Sequence, residues 1–266
     1  MTKFLSRREE RSFWDWTGKY FPSLWGAPST KYYFECEKSL FVDYCPDLEG
    51  KKILKTDLWD EAKNTHILHW TAQQGAQVYG IDISGPIVKE AAKIFNKGTA
   101  ARFIINDVRQ IAFASDSFDV IYSMGTIEHF REYRQALKEC FRVLRPGGLI
   151  FLGVPNRWDP FLRPIMVGLM QALNLYSYGY ERSFSRKQLE GMLIETGFEI
   201  RGLSGVLFIP GILRMIDLFF HVRAPAWTRI TAPMIYPFSL LFRKFPFLRP
   251  HSYLICSVAH KPGVAS

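Results

Sequence analysis

Between residues 50 and 204 short apolar runs alternate with helix-length amphipathic segments, and this alternation limits the possible folds more than any other feature. The runs "ILKT", "AQVYGID", "ARFIIND", "SFDVIYSMG" and "LIFLGVP" read as buried strands. Between them lie "HILHWTAQQG", closed by Gly75, and "SGPIVKEAAKIFNKG", with Ser84 as N-cap and Gly98 as stop. "YRQALKECFRVLR" puts Leu137, Phe141 and Leu144 on one helix face, and "PGG" turns it into the next strand. Strand and helix in strict succession predict a parallel sheet covered on both faces, joined by right-handed crossovers.

The remaining chain divides around this core. Residues 1–49 are charged and aromatic and predict one or two lead-in helices, the last around "YYFECEKSLFVDY". The core occupies 50–204, an apolar and basic insertion 205–250, and a closing strand with its tail 251–266. With 266 residues, 48% of them hydrophobic, the chain can bury a core without staples. Four cysteines without paired spacing fit a reducing, cytoplasmic setting. "MTKFLSRREERSFWDW" is charged and lacks the apolar run of a signal peptide.

Net charge is +9, and most of it is local. Residues 201–266 hold eight basic side chains and one acid, Asp217. The rest is near neutral, so no nucleic-acid groove across the whole protein is expected. The basic stretch "LSGVLFIPGILRMIDLFFHVRAPAWTRITAPMIYPFSLLFRKFPFLRP" is too greasy for a phosphate track and too interrupted for a span. With the similar "PFLRPIMVGLMQALNLYSYGY", it suits helices lying on an anionic membrane surface, or a lid or dimer interface that buries the same atoms.

Ligands of parallel sheets bind at the carboxyl ends of the strands. Here those ends carry Thr56-Asp57, Asp82, Asn106-Asp107 and Ser123-Met124. A carboxylate after the second strand can accept both hydroxyls of a ribose, and one after the third can accept an exocyclic amine. A further acid near the first strand can face a cation. Three acids on one rim suit a cationic nucleoside better than a pyrophosphate. Each taken singly also fits an ordinary turn or cap Asp.

"GIDISGPIVKEAAKIF", "FIINDVRQIAFASDSFDVIYSMGTIEHF" and "ALKECFRVLRPGGLIFLGVPN" resemble, in order, the motifs of class I S-adenosylmethionine-dependent methyltransferases. Their phrasing is similar to the large family that includes ubiquinone and menaquinone methylases. The resemblance implies a Rossmann-like, seven-stranded mixed sheet with an antiparallel last strand, for which "HSYLICSVAHKP" is the candidate. It implies S-adenosylmethionine as cofactor, with Asp82 and the adjoining Ile83 at the ribose. Asp107 and Val108 would read the adenine, and Ser123 and Met124 would pass the methionine end. Arg145-Pro146-Gly147-Gly148 would be the turn before the fifth strand.

One stretch departs from the family. Where an acid and a G-x-G-x-G loop are expected, the chain reads "LKTDLWDE", without glycine. Glycine lets backbone approach a ligand without a Cβ, so these side chains must point away or move the loop. Asp57 is expected to supply the missing acid. Lys55 is expected to meet the donor's carboxylate or to pair with Asp57.

Methyl transfer from a sulfonium is helped most by alignment, and by a base when the acceptor is a hydroxyl. His129 is the best base candidate, with Glu128 beside it; a helix-cap or pocket-lining role fits the position equally. The resemblance extends to metal-assisted O-methyltransferases with Glu-x-x-Glu-His, but Gly125 replaces the first Glu, so no metal is expected. Tyr180 and Glu181 fall where relatives place substrate-facing residues. The expected activity is methylation, on oxygen, of a small or lipid-like acceptor. The rival is a non-catalytic adaptor of the same fold; no G-x-G-x-x-G follows any strand, which disfavours a dinucleotide dehydrogenase.

Overall fold

A computed structural model describes residues 4–95 and 101–263. Its seven strands are β1 (Lys52–Lys55), β2 (Gln77–Asp82), β3 (Ala101–Ile105), β4 (Phe118–Met124), β5 (Leu144–Pro155), β6 (Glu199–Val206) and β7 (Leu254–His260). They form one sheet in the order β3-β2-β1-β4-β5-β7-β6. β3 through β5 are mutually parallel, and β7 runs antiparallel between β5 and β6. The Rossmann-like mixed sheet and its antiparallel last strand are thus as expected from the sequence.

Strand side chains alternate between two separate cores, as the two-residue period requires. Ile53, Val78, Val120, Tyr122 and Phe151 face one core. It is roofed by α2 (Pro28–Tyr44), α4 (Ile67–Gln73) and α5 (Gly85–Ala92). Leu54, Ile81, Ile121, Ile150 and Leu152 face the other, under α6 (Tyr133–Val143) and α8 (Arg186–Thr196). Phe41 of α2 stacks on Tyr122 at 5.4 Å and meets Phe151 at 5.0 Å, which locks that helix to the sheet centre.

The lead-in contains α1 (Arg7–Tyr20), opened by a Ser6–Glu9 capping box, ahead of α2. Within the 205–250 segment lie α9 (Gly211–Arg223) and α10 (Thr228–Lys244), the latter running through Pro233 and Pro237. Asp217 of α9 is fully buried and accepts from the Ser29 amide at 2.8 Å and from Thr231 Oγ1. One carboxylate therefore pins α9 and α10 to the start of α2. A further helix, α7 (Arg163–Ala172), follows β5.

Two local expectations change. "LWDEAK" is not only a turn: Trp59–Lys63 forms a short helix, α3. The Arg145–Gly148 turn lies within β5, whose pairing with β4 jumps from Phe118↔Leu144 to Val120↔Leu149, while Gly147 takes φ +78°. Gly98, expected to stop α5, lies outside the described residues.

Gly205 sits where β6 passes beneath the 246–251 turn. A Cβ there would lie 2.3 Å from the Arg249 carbonyl and 2.6 Å from that of Leu254. Backbone cannot step aside as a side-chain tip can, so Gly205→Ala should destabilise the chain by about 2–3 kcal/mol. A urea titration measures this; an unchanged midpoint contradicts the packing described.

Candidate functional site

A cavity of about 490 Å³ opens over the carboxyl ends of β1, β2, β3 and β4. Its floor carries Thr56, Asp57, Asp82, Ile83, Asp107, Val108, Met124, Glu128 and His129. Its walls come from α1, α2, α7, α9 and the loop after α7. The sequence-predicted rim therefore converges on one space, with three exceptions.

Lys55 and Ser123 lie beneath the floor. Lys55 is fully buried, and its Nζ sits 3.1 Å from Asp57, 2.9 Å from Asp60 and 3.4 Å from Glu61. Of the two roles expected for Lys55, pairing with Asp57 is the one the geometry contains. Ser123 Oγ accepts from Thr56 Oγ1 at 2.8 Å and is buried. The third is Tyr180, whose ring packs on Phe4 at 4.4 Å and whose carbonyl alone reaches toward His129.

The glycine-free turn solves its steric problem by sorting side chains. Leu58 is fully buried and lies over Gly80 of β2, where a Cβ would come within 2.4 Å of its methyl. Its amide donates to Asp82 Oδ2 at 2.9 Å, so the turn is hung from the second strand. Asp57 and Trp59, on either side, face the cavity. The bulk that glycine would avoid is thus taken into the core.

Asp82 accepts from the Leu58 amide on one oxygen and the Ser84 amide at 2.8 Å on the other. Each oxygen keeps a further lone pair. Burial pushes its carboxyl up to about 7 against those two amides. Asp57 accepts from Thr126 Oγ1 at 2.8 Å and is also raised, by burial and then by Asp60, with Lys55 opposing. Burial and neighbouring acids raise Glu61 to about 7 and Glu37 well above its usual range. The wall beside the turn is therefore rich in carboxylates that share one ammonium.

Asp107 is different. Burial raises it, but Arg109 donates to both of its oxygens, at 2.8 Å each, and brings it below the ordinary value. Arg109 also holds Glu10 of α1 at 2.6 Å, clamping the N-terminal helix over this end of the cavity. Asp107 thus meets any ligand as a firmly ionised acceptor.

His129 Nδ1 lies 3.0 Å from the Tyr180 carbonyl. A carbonyl only accepts, so Nδ1 carries the proton and Nε2 keeps its lone pair. Burial lowers the imidazole below its usual value, and Trp14 meets the ring edge-on at 5.1 Å. Neighbouring Glu128 is buried and raised well above the carboxylate range, first by burial and then by Glu181. Glu181 is itself ionised: Arg163 lies 2.6 Å away and the Tyr176 hydroxyl donates to it at 2.6 Å. Arg163, Tyr176, Trp14 and Arg214 were not singled out in the sequence; they sit in segments whose composition reads only as greasy or aromatic. Among the described residues no three His, Cys, Asp or Glu side chains group to hold a metal ion.

The fold is shared with solved S-adenosylmethionine-dependent methyltransferases, among them one from Mesorhizobium loti at a TM-score of 0.58 and 15% identity, with 90% of this chain and 100% of that one covered. Residues 63–152 match the family model described as a methyltransferase domain. The ubiquinone biosynthesis O-methyltransferase of Rhizobium etli is 28% identical over 148 residues, covering 52% of this chain and 58% of that one. The chain thus spans less than two thirds of such relatives. Among solved structures, a Haemonchus contortus phosphoethanolamine N-methyltransferase in complex with S-adenosyl-L-methionine has a TM-score of 0.64 at 17% identity. That likeness covers 97% of this chain and 60% of that one. The [4+2]-cyclase SpnF has a TM-score of 0.65 at 17% identity, with 98% of each chain covered. These likenesses concern the fold.

The raised acids make stability pH-dependent. Asp82 moves from 3.8 to about 7, so the folded chain binds a proton the unfolded chain has released. Its stabilising contribution is full below 3.8 and is lost as pH rises through about 7. His66 and His129, lowered by burial, pull the other way, so the informative quantity is a difference. The stability of wild type relative to Asp82→Asn should fall as pH rises from about 4 to about 7, as read from urea midpoints. A difference that stays flat or grows places the Asp82 proton elsewhere.

Proposed function

We propose that this chain transfers the methyl group of S-adenosylmethionine to an oxygen of a small or lipid-like acceptor. The supporting observation is one cavity lined by Asp82, Asp107 and His129, whose Nε2 is left unprotonated by the Tyr180 carbonyl at Nδ1. The donor set fits the cofactor: acceptor oxygens for a diol and an amine, Ile83 and Val108 as apolar faces, and carboxylates near the cationic end. When bound, S-adenosylmethionine supplies an activated methyl whose departure leaves a neutral thioether.

The chain's own groups then have separable roles. Asp82 takes the ribose hydroxyls on its free lone pairs. Asp107 and the Val108 backbone take the adenine. Asp57 gives the cationic end a negative neighbour, and Met124 passes its side. His129 Nε2 takes the acceptor's hydroxyl proton, while its Nδ1–H, held by the Tyr180 carbonyl, keeps the ring aimed. Glu128 retains its proton beside that step, and Glu181, fixed by Arg163, holds the acceptor side of the wall.

Titration with S-adenosylhomocysteine tests this reading. Asp82→Ala should weaken binding by about 10-fold or more, the loss of hydrogen bonds to a charged acceptor. His129→Gln should leave binding within about two-fold and cut turnover by about 10²–10⁴. The relatives' names direct the acceptor screen to quinone-type phenols. No heat at millimolar ligand would favour the non-catalytic adaptor.

The lipid-like part rests on the cavity mouth. Leu175 and Phe219 line the cavity yet are 64% and 61% exposed. Around them α7 exposes Ile165 and Leu169, α9 exposes Ile212 and Ile216, and α10 exposes Ile230 and Met234. Arg223, Arg229, Arg243 and Lys244 are exposed on or beside the same two helices. No helix among the described residues is long and apolar enough to cross a membrane. Apolar stripes flanked by bases match an anionic lipid surface, where each base contributes about 1 kcal/mol. Phosphatidylserine vesicles should carry the protein upward in flotation, less so at high salt, and Ile216→Glu with Phe219→Glu should abolish it. Equal recovery of wild type and variant in the vesicle layer overturns this placement.

A further inference from the structure

Four arginines line the cavity; Arg223 is exposed, and of the other three two are already neutralised. Arg109 is held by Asp107 and Glu10, and Arg163 by Glu181. Arg214 of α9 is not. It is 8% exposed, has no ion-pair partner among the described residues, and its Nη1 is buried without a hydrogen bond. Its guanidinium lies instead against two aromatic rings, 5.2 Å from the Tyr33 centroid and 5.8 Å from that of Tyr253. Aromatic faces stabilise a cation only in part, and a buried guanidinium without an anion is unfavourable. An empty charge-assisted donor in a ligand cavity identifies the chemistry it awaits: a planar, bidentate oxyanion.

Its position identifies which one. Tyr33 and Tyr178 both line the cavity, and the charges of Arg214 and Asp60 act on the hydroxyls of both. Asp60 and Asp57 belong to the carboxylate-rich wall on Lys55. A cation-seeking wall and an unpaired guanidinium thus flank the same tyrosines, a pairing complementary to a zwitterion. We propose that Arg214 receives the α-carboxylate at the amino-acid end of the methyl donor, replacing with one guanidinium the amides of the missing glycine loop. The ammonium of that end then faces Asp57 and Asp60. This assignment rests on the donor reading above and adds a residue from the apolar insertion to the donor site.

Comparing two ligands tests it: S-adenosylhomocysteine, which carries the amino-acid end, and 5′-methylthioadenosine, which lacks it. Arg214→Gln should weaken S-adenosylhomocysteine about 10- to 100-fold in calorimetric titration and leave methylthioadenosine within about two-fold. Arg214→Lys keeps the charge but not the fork and should lie between; it carries the comparison if the glutamine variant does not fold. A purely structural role for Arg214 would weaken both ligands alike, and that result, or no loss for either, overturns the assignment. Wild type that binds neither ligand overturns the donor reading and this assignment with it.

Discussion

The Lys55 ammonium, buried at the end of β1 among Asp57, Asp60 and Glu61, is the interaction on which the site is built. Without it three carboxylates would be enclosed in a low-dielectric wall with no counter-charge, a loss of about 3–5 kcal/mol where such a partner is removed. With it, the chain leaves β1 in a tight turn, starts α3 at once, and hangs from Asp82 by the Leu58 amide. The ordinary solution to a close ligand approach is to omit the Cβ. Here side chains are kept and directed, by one salt-bridge cluster and by the space over Gly80.

This arrangement also sets the charge of the cavity. The four carboxylates around Lys55 more than offset its burial, so it stays protonated. The acids cannot all ionise as readily, and Glu37, Asp57 and Glu61 are raised accordingly. A cation arriving beside them would lower those values and be held by the carboxylates it ionised. Burial also works on His129, holding its imidazole below the usual value and so neutral. One physical cause, desolvation, thus raises the acids of the wall and lowers the imidazole beside it.

What was legible in the sequence follows the range of the forces involved. Strands buried on both faces, with helices between them, announce themselves locally, and so do the acids that end them. The closing strand was readable because "LICSVA" is apolar but for Ser257. α3 was not, because "WDEAK" owes its helix to a buried ion cluster whose members lie apart in the sequence, Glu37 and Lys55 among them. For the same reason Lys55 looked like a ligand group. Arg163 and Arg214 were hidden in greasy segments: nothing local tells a basic side chain turned into a cavity from one left on the surface. Such positions depend on how α7 and α9 fold back over the sheet, a tertiary fact.

The sheet by itself does not name a reaction, since a [4+2]-cyclase shares the architecture over 98% of the chain. The side chains around the cavity narrow it. On the proposed reading Asp82 and Asp107 would hold the nucleoside in any such reaction, so they do not separate the possibilities. On the proposed reading the distinguishing group would be His129, an imidazole kept neutral by burial and fixed in one tautomer by the Tyr180 carbonyl. Trp14 braces that ring from α1, and Arg109 clamps α1 to Asp107 through Glu10. The N-terminal helix therefore ties Asp107 to His129, and on the proposed reading the relative placement of these two side chains is what a methyl transfer to oxygen would depend on.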